Sequence, residues 1–384
     1  MAFTGKATYS AGSTLPEIAE DVSDLIGINS PHETPLLDAL GDPARPARST
    51  QHEWLEDSLL PNTDAVAVVV DGQTWEVGNL DRFRKGDLLR VGTGSEVILV
   101  SDIDTIDDAL VLTRGYGGTT AGTVTAGDVL HIIGNAALEG ADAEAARFTN
   151  RVRRHNWSQI FSATVEVSGS ELAVNQIGIG DELDYQKNQR TRELLRDLEN
   201  TVINGVANAT TPGGSQTVRR SMDGILPRIA TNRFGVGADG FPDDTVLSEQ
   251  QLNLALRTIW QNSAGRVDLI LVGGQEKRAI NQFVASNRRY YNSTDSFRDA
   301  LSVYESDFGV CRIVMSRYVP AGTVLLLDSG RIDVMPLAGR SFHYKPLART
   351  GDRESGLVVG EYTMELRNEN AHGVISGFTG VAGT

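Results

Sequence analysis

The chain has 384 residues, and its 50 acidic against 35 basic side chains leave a net charge of −15 at pH 7. This length supports two or three structural units around a sizeable buried core. The acidic balance repels nucleic acid and bilayer headgroups at long range, which argues against a dedicated nucleic-acid binder.

In chain order, residues 1–52 are predicted to form an arm with short helices. "STLPEIAEDVSDLI" offers Ser13 or Thr14 as N-cap and puts Leu15, Ile18, Val22, Leu25 and Ile26 on one face. "TPLLDALG" reads as a second short helix ending on Gly41, and "DPARPARST" as an extended connector. Residues 64–135 then change to short β runs with frequent turns: "VAVVV", "DLLRV", "EVILVSDI", "ALVLTR" and "DVLHII". They predict a small barrel-like β module. "RVRRHNW" leads into an alternating strand that includes Ile160, Ser162, Val165 and Val167.

Residues 181–206 carry the longest helical signal, with Leu194, Leu195, Leu198, Val202 and Val206 as an apolar stripe. Residues 213–331 read as an α/β unit. In it "SEQQLNLALRTIWQN" is a helix capped by Ser248 that turns Leu252, Leu256, Ile259 and Trp260 inward, and "VDLILVGG", "CRIVMS" and "TVLLLD" are strands. The tail returns to long strands, "SFHYKPLA", "SGLVVGEYTMELRN" and "GVISGF".

Few residues form a pattern that carries chemistry. The six histidines, at 32, 52, 131, 155, 343 and 372, show no zinc-helix spacing. "DIDTIDDAL" lacks the glycine of a calcium loop, and "RGYGGTTAGT" lacks the lysine and helix of a phosphate loop. No cofactor motif occurs. Cys311, the single cysteine, lies in an apolar alternating run and reads as a buried strand residue rather than a nucleophile. "ELRNENAHG" gathers Glu365, Glu369 and His372. The period of two before it puts Tyr362, Met364 and Leu366 on one face and Thr363, Glu365 and Arg367 on the other. A polar strand end at a subunit junction is expected there, with Glu365, Arg367 and Glu369 as contacts. A hydrolase using Glu369 and His372 is the rival reading. Arg151, Arg153 and Arg154 are expected to meet carboxylates of a neighbouring subunit. No apolar run approaches the ~18–20 residues needed to span a bilayer. The N-terminus lacks the apolar stretch of a secretory signal, so a cytoplasmic protein is expected.

Several stretches in order carry a resemblance: "EDVSDLIGINSPHETPLLDALG", "QHEWLEDSL", "NWSQIFSATVEVSGSELAV", "DELDYQKNQRTRELLRDLEN", "LILVGGQEKRAI", "VYESDFGVCRIVMSRYV" and "EYTMELRNENAHG". Together they resemble the major capsid proteins of tailed bacteriophages, in the SU-ten-like subgroup. The resemblance implies an α+β chain with the Hong Kong 97-type capsid fold. It would comprise an N-terminal arm at 1–52 and an extended loop at 53–160 carrying the β insert. A peripheral domain at 161–212 and 332–384 would hold a long spine helix, and an axial domain would span 213–331. The spine-helix core would be Leu194, Leu195, Leu198 and Val202. The implied function is structural: self-assembly into pentamers and hexamers of an icosahedral head enclosing double-stranded DNA without sequence specificity. The resemblance allows scaffolding, portal and decoration proteins as further partners and implies no membrane. The virion would be the final location, after assembly in the host cytoplasm. An encapsulin-like compartment is the alternative within the same fold. Family-like sequence from about residue 17 implies no cleaved scaffolding segment.

Overall fold

The computed structural model describes residues 33–43, 45–140, 146–173, 181–238, 240–287, 303–348 and 351–380, of which 283–287 by their backbone alone. The helix predicted around residues 13–26 lies outside the described residues.

Helix α1 (Pro35–Leu40) precedes strand β1 (Gln51–Glu56). Six strands follow: β2 (Thr63–Val69), β3 (Thr74–Val77), β4 (Asp87–Val91), β5 (Val97–Asp104), β6 (Ala109–Thr113) and β7 (Val129–Asn135). After β8 (Val152–Trp157) and β9 (Gln159–Ser168) come α2 (Gly169–Ala173), α3 (Glu182–Asn204) and α4 (Ile225–Arg228). Then β10 (Arg233–Gly235), α5 (Glu249–Asn262), β11 (Leu269–Val272) and α6 (Gly274–Asn287) alternate. The chain finishes with β12 (Val303–Ser306), β13 (Gly309–Met315), β14 (Thr323–Leu327), β15 (Ile332–Pro336), β16 (His343–Pro346), β17 (Arg353–Leu366) and β18 (Gly373–Ser376).

These elements make two compact units. The described residues of 55–152 form one, and the described residues up to 54 together with those from 153 onward form the other. In the smaller unit, β2-β3-β6-β5-β4-β7 close into a barrel around Trp75, Leu89, Ile98, Val100, Leu110 and Leu130. Closure leaves no strand edge unpaired. β3 is the one barrel strand that the sequence runs do not include.

The larger unit holds two sheets. In one, the 14-residue β17 is central, with β9 on one edge and β15 and β16 on the other. The second has the order β10-β18-β14-β11-β13-β12 and mixes parallel with antiparallel pairs. Its central strands are buried on both faces. Leu269, Leu271, Leu325 and Leu327 join a core with α3 and the first sheet, while Ile270, Val272, Val324 and Leu326 pack with α5. Strands covered on both faces read as continuous apolar runs. One hydrophobic core therefore crosses the line drawn in the sequence between 161–212 plus 332–384 and 213–331. β18 inserts between β10 and β14 instead of joining the other returning strands.

α3 is 23 residues long, about 34 Å at 1.5 Å per residue. Asp181 caps it, accepting from Leu183 and Asp184 N–H at 2.9 and 3.2 Å. Leu194, Leu198 and Val202 are buried on the sheet; Leu195 is only half-buried, and Val206 lies past the helix end, 66% exposed. In α5 the Ser248–Gln251 capping box is present, and Leu252, Ala255, Leu256 and Ile259 fill the buried stripe. Trp260 is the correction there. One position on from Ile259, it is turned off that stripe, is 60% exposed and packs its ring against Phe308.

Candidate functional site

Three glutamates four residues apart, Glu361, Glu365 and Glu369, run along β17 and the turn after it. Each gathers groups from remote parts of the chain. Glu361 is buried and accepts from Ser158 Oγ at 2.6 Å and from Arg220, with Arg340 Nε at 2.7 Å. Glu365 is buried too; its Oε2 meets His52 Nε2 at 2.6 Å and Arg45 at 3.3 Å, and Arg367 lies 3.6 Å from Oε1. Burial alone would raise its pKa. The His52 hydrogen bond and the charges of His52, Arg367 and Arg45 outweigh that and hold it below the ordinary carboxylate range. Glu369 accepts from Ala230 N–H at 2.9 Å, Thr231 N–H at 3.1 Å and the Thr231 hydroxyl. Burial opposes its ionisation as well, but these hydrogen bonds and the Arg154 charge win, so its pKa is lowered.

The turn that carries Glu369 is built by Asn368 at φ 51°, a left-handed conformation that asparagine tolerates. His372 ends it fully buried, its Nδ1 accepting from Asp328 N–H at 3.2 Å, and burial pushes its pKa down to about 4. The imidazole is therefore neutral at pH 7. Glu369 is thus committed to the 230–231 backbone and the Thr231 hydroxyl, and His372 is enclosed. Among the described residues, no group of His, Cys, Asp and Glu could hold a metal ion.

Two further buried groups extend the pattern. Asn156 uses every hydrogen-bonding site of its amide: it donates to Met364 and Asp223 carbonyls at 2.8 and 3.0 Å, and it accepts from Trp157 and Asp223 N–H at 2.9 and 3.0 Å. Glu199 of α3 accepts Leu36 and Leu37 N–H, both at 3.0 Å, and Ser316 Oγ at 3.2 Å. It thereby caps the first turn of α1, whose free N–H groups favour a negative charge. The arrangement does positional work. It fixes α1, the root of the β1–β8 ribbon and the 220–231 segment onto one sheet.

The sequence-predicted contacts divide accordingly. Glu365, Arg367 and Glu369 each find partners within the chain; Arg367 pairs with Asp333 at 2.8 Å. Arg151 and Arg153 also find acids of their own chain, Asp57 at 3.8 Å and Glu53 at 3.4 Å, because β1 pairs with β8. Their side chains remain largely exposed. Glu199, Glu361, His52, Asn156 and Arg220 were missed. Glu199 alone left a signal, a carboxylate set within the apolar stripe of α3.

The model of the SU10 major capsid protein family matches residues 3–379. The chain belongs to this family. As a member of the SU10 major capsid protein family it is a structural protein of a phage capsid, and the virion is where such a protein resides. The curated major capsid protein of Escherichia phage Phieco32 is 22% identical over 285 residues, 63% of this chain and 80% of that protein. Two solved structures share the fold. A chain of Microbacterium phage Oxtober96 matches with TM-score 0.52 at 13% identity, over 94% of this chain and 96% of its own. The capsid of the native GTA particle computed with C5 symmetry matches with TM-score 0.50 at 11% identity, over 94% and 95%. The mixed helix-and-strand architecture is thus that of capsid chains.

Proposed function

We propose that this capsid protein assembles by itself into pentamers and hexamers of an icosahedral head around double-stranded DNA, in the Hong Kong 97-type arrangement. The observation that carries the reading is the family match running from residue 3 to 379. In this reading residues 1–52 are the arm, 53–160 the extended loop with the barrel inserted in it, and α3 the spine helix. The peripheral domain comprises 161–212 and 332–384, and the axial domain 213–331.

Arg151, Arg153 and Arg154 lie on the stem of the loop and, with Glu365, Arg367 and Glu369, are the contact candidates for neighbouring subunits. The exposed pairs of Arg151 and Arg153 with their own acids are each worth about 0–1 kcal/mol, so exchanging them for a neighbour's acids costs little. The net charge of −15 favours DNA held by confinement, without base recognition. Scaffolding, portal and decoration proteins complete the set of partners. The protein assembles in the host cytoplasm with no role for a membrane; among the described residues, no helix is long and apolar enough to cross one. The engaged Glu369 and buried neutral His372 support a chain without catalysis.

Electron microscopy of the purified protein tests the proposal. Closed shells or capsomers with five- and six-fold symmetry are expected. A monodisperse monomer at high concentration and physiological salt would overturn it, and protein cargo in place of DNA in native shells would favour the compartment reading.

A further inference from the structure

Among the described residues, strand β9 has one edge paired to another strand and one edge that no strand pairs. Its register with β17 is unbroken from Gln159↔Tyr362 to Ser168↔Arg353, and one step further Gly169 N–H donates to the Asp352 carbonyl at 3.1 Å. Hydrogen-bonded pairs alternate along an antiparallel ladder, so the odd-numbered residues of β9 turn their backbone groups to β17. The far edge of β17 agrees: Leu347 and Leu337 N–H donate to the odd-numbered Ser355 and Glu361 carbonyls. Ile160, Ser162, Thr164 and Glu166 therefore aim N–H and C=O away from the sheet and Ser168 its N–H, and the side chains of all five are exposed. The next even residue, Ser158, donates to the Thr50 carbonyl at 2.8 Å, where β1 begins to cover β8. Beyond it, among the described residues, no other strand and no loop or turn hydrogen bond reaches the outward backbone groups of 160–166, while α2 opens at Gly169 and takes the Ser168 carbonyl as its first acceptor. The edge carries no lysine, proline or bulge, the usual devices that keep such a row from templating another strand.

We propose that this edge is closed by the same strand of a second copy, antiparallel across a two-fold axis centred on Thr164. The inference rests on the assembly reading above, because an icosahedral shell supplies two-fold axes where one surface meets itself. The strand is self-complementary in that register. Thr164 faces Thr164, Ser162 faces Glu166 and Ile160 faces Ser168. No like charges are opposed, and Arg353 already neutralises Glu166 at 2.6 Å. Centring the pair on Glu166 would set two carboxylates face to face, and centring it on Ser162 would call on the buried Ser158.

Cysteine cross-linking of assembled shells tests this. Cα atoms of a hydrogen-bonded antiparallel pair lie about 5.5 Å apart, within disulfide reach. Cys311 is buried and its thiol pKa is pushed up to about 11, so it stays silent. Under a mild oxidant that takes up the two electrons while two thiols lose their protons, Thr164→Cys shells should run as dimers on a non-reducing denaturing gel. Ile160→Cys shells should stay monomeric. In wild-type shells the amides of 160, 162, 164, 166 and 168 should exchange roughly 100-fold more slowly than in unassembled protein. Shells with unchanged exchange would overturn the proposal while leaving the assembly reading intact. So would slowed exchange without a Thr164→Cys dimer, which would assign the edge to a different strand. A wild-type protein that never forms shells would overturn both.

Discussion

At the scale of single residues, the buried groups set how the protein responds to acid. Burial holds His372 neutral with a pKa of about 4, whereas an unfolded imidazole titrates near 6.5. Between those values the unfolded chain binds the proton and the folded chain does not. Stability is therefore lost as pH falls from about 6.5 to about 4, by about 3 kcal/mol in total. Glu365 and Glu369 have lowered pKa values, so their contribution disappears only below the ordinary carboxylate range. Glu199 runs the other way: burial raises its pKa, and its ionisation costs stability as pH rises through that value. Urea unfolding of unassembled protein at pH 7.5, 5.5 and 4.5 should show this loss in wild type and not in His372→Gln. Parallel profiles would mean that His372 is not the group titrating. Removing an acceptor is a separate matter. Glu199→Ala leaves two N–H groups and the Ser316 hydroxyl without their partner, at about 1–3 kcal/mol each where burial persists. Limited proteolysis should then cut near residues 33–45 while the rest of the chain resists; an unchanged digestion pattern would show that α1 is held by other contacts.

Among the elements, β17 shows why its sequence reads "SGLVVGEYT". A Cβ on Gly356 would lie 2.1 Å from Tyr344 Oη, and one on Gly360 2.5 Å from the Phe342 ring. The side chains of Tyr344 and Phe342 occupy the space beside these glycines. Gly360→Ala should destabilise by about 1–3 kcal/mol through overpacking, lowering Tm by several degrees. Gly274→Ala, where nothing lies within 4 Å, should not. Equal melting of the two variants would contradict the packing described. On α3, Leu198→Asp buries a charge in the core and should yield insoluble protein, whereas Asn188→Glu on the exposed side should stay soluble. The local signals were legible for physical reasons. A capping box, a terminating glycine and strict alternation act within a few residues, so Ser248, Gly41 and most of the barrel strands could be read directly. What depends on distant partners could not. The hydrogen bonds to Glu361, Glu365 and Glu369 come from more than a hundred residues away in most cases, and the period of two that sorted Thr363 and Glu365 onto a polar face holds no information on what covers that face. β18 was grouped with its sequence neighbours for the same reason, and Trp260 was placed by hydrophobicity rather than by its angle around α5.

For the whole molecule, the two units make separate predictions. The barrel has its own core, and its first and last strands are neighbours, with Ile132 N–H donating to the Asn62 carbonyl at 2.8 Å. Replacing residues 63–135 by a short Gly/Ser turn should leave the larger unit folded, because closing so short a gap changes loop entropy little. Circular dichroism and urea unfolding of the remaining chain would check this, and global unfolding would show that the barrel is part of the main core. Assembled shells should be noncovalent. The chain has lysines only at 6, 85, 187, 277 and 345, and Lys85 lies beside Asp102 at 3.5 Å. A denaturing gel of mature heads should give one band near 41.4 kDa, and a ladder would refute this. The adjacency of the barrel's two ends also makes it an exchangeable cassette. A foreign domain whose own termini lie one strand-spacing apart could be spliced between residues 62 and 136 in frame. Every subunit of a shell would then display one copy of the guest, at a stoichiometry fixed by the lattice.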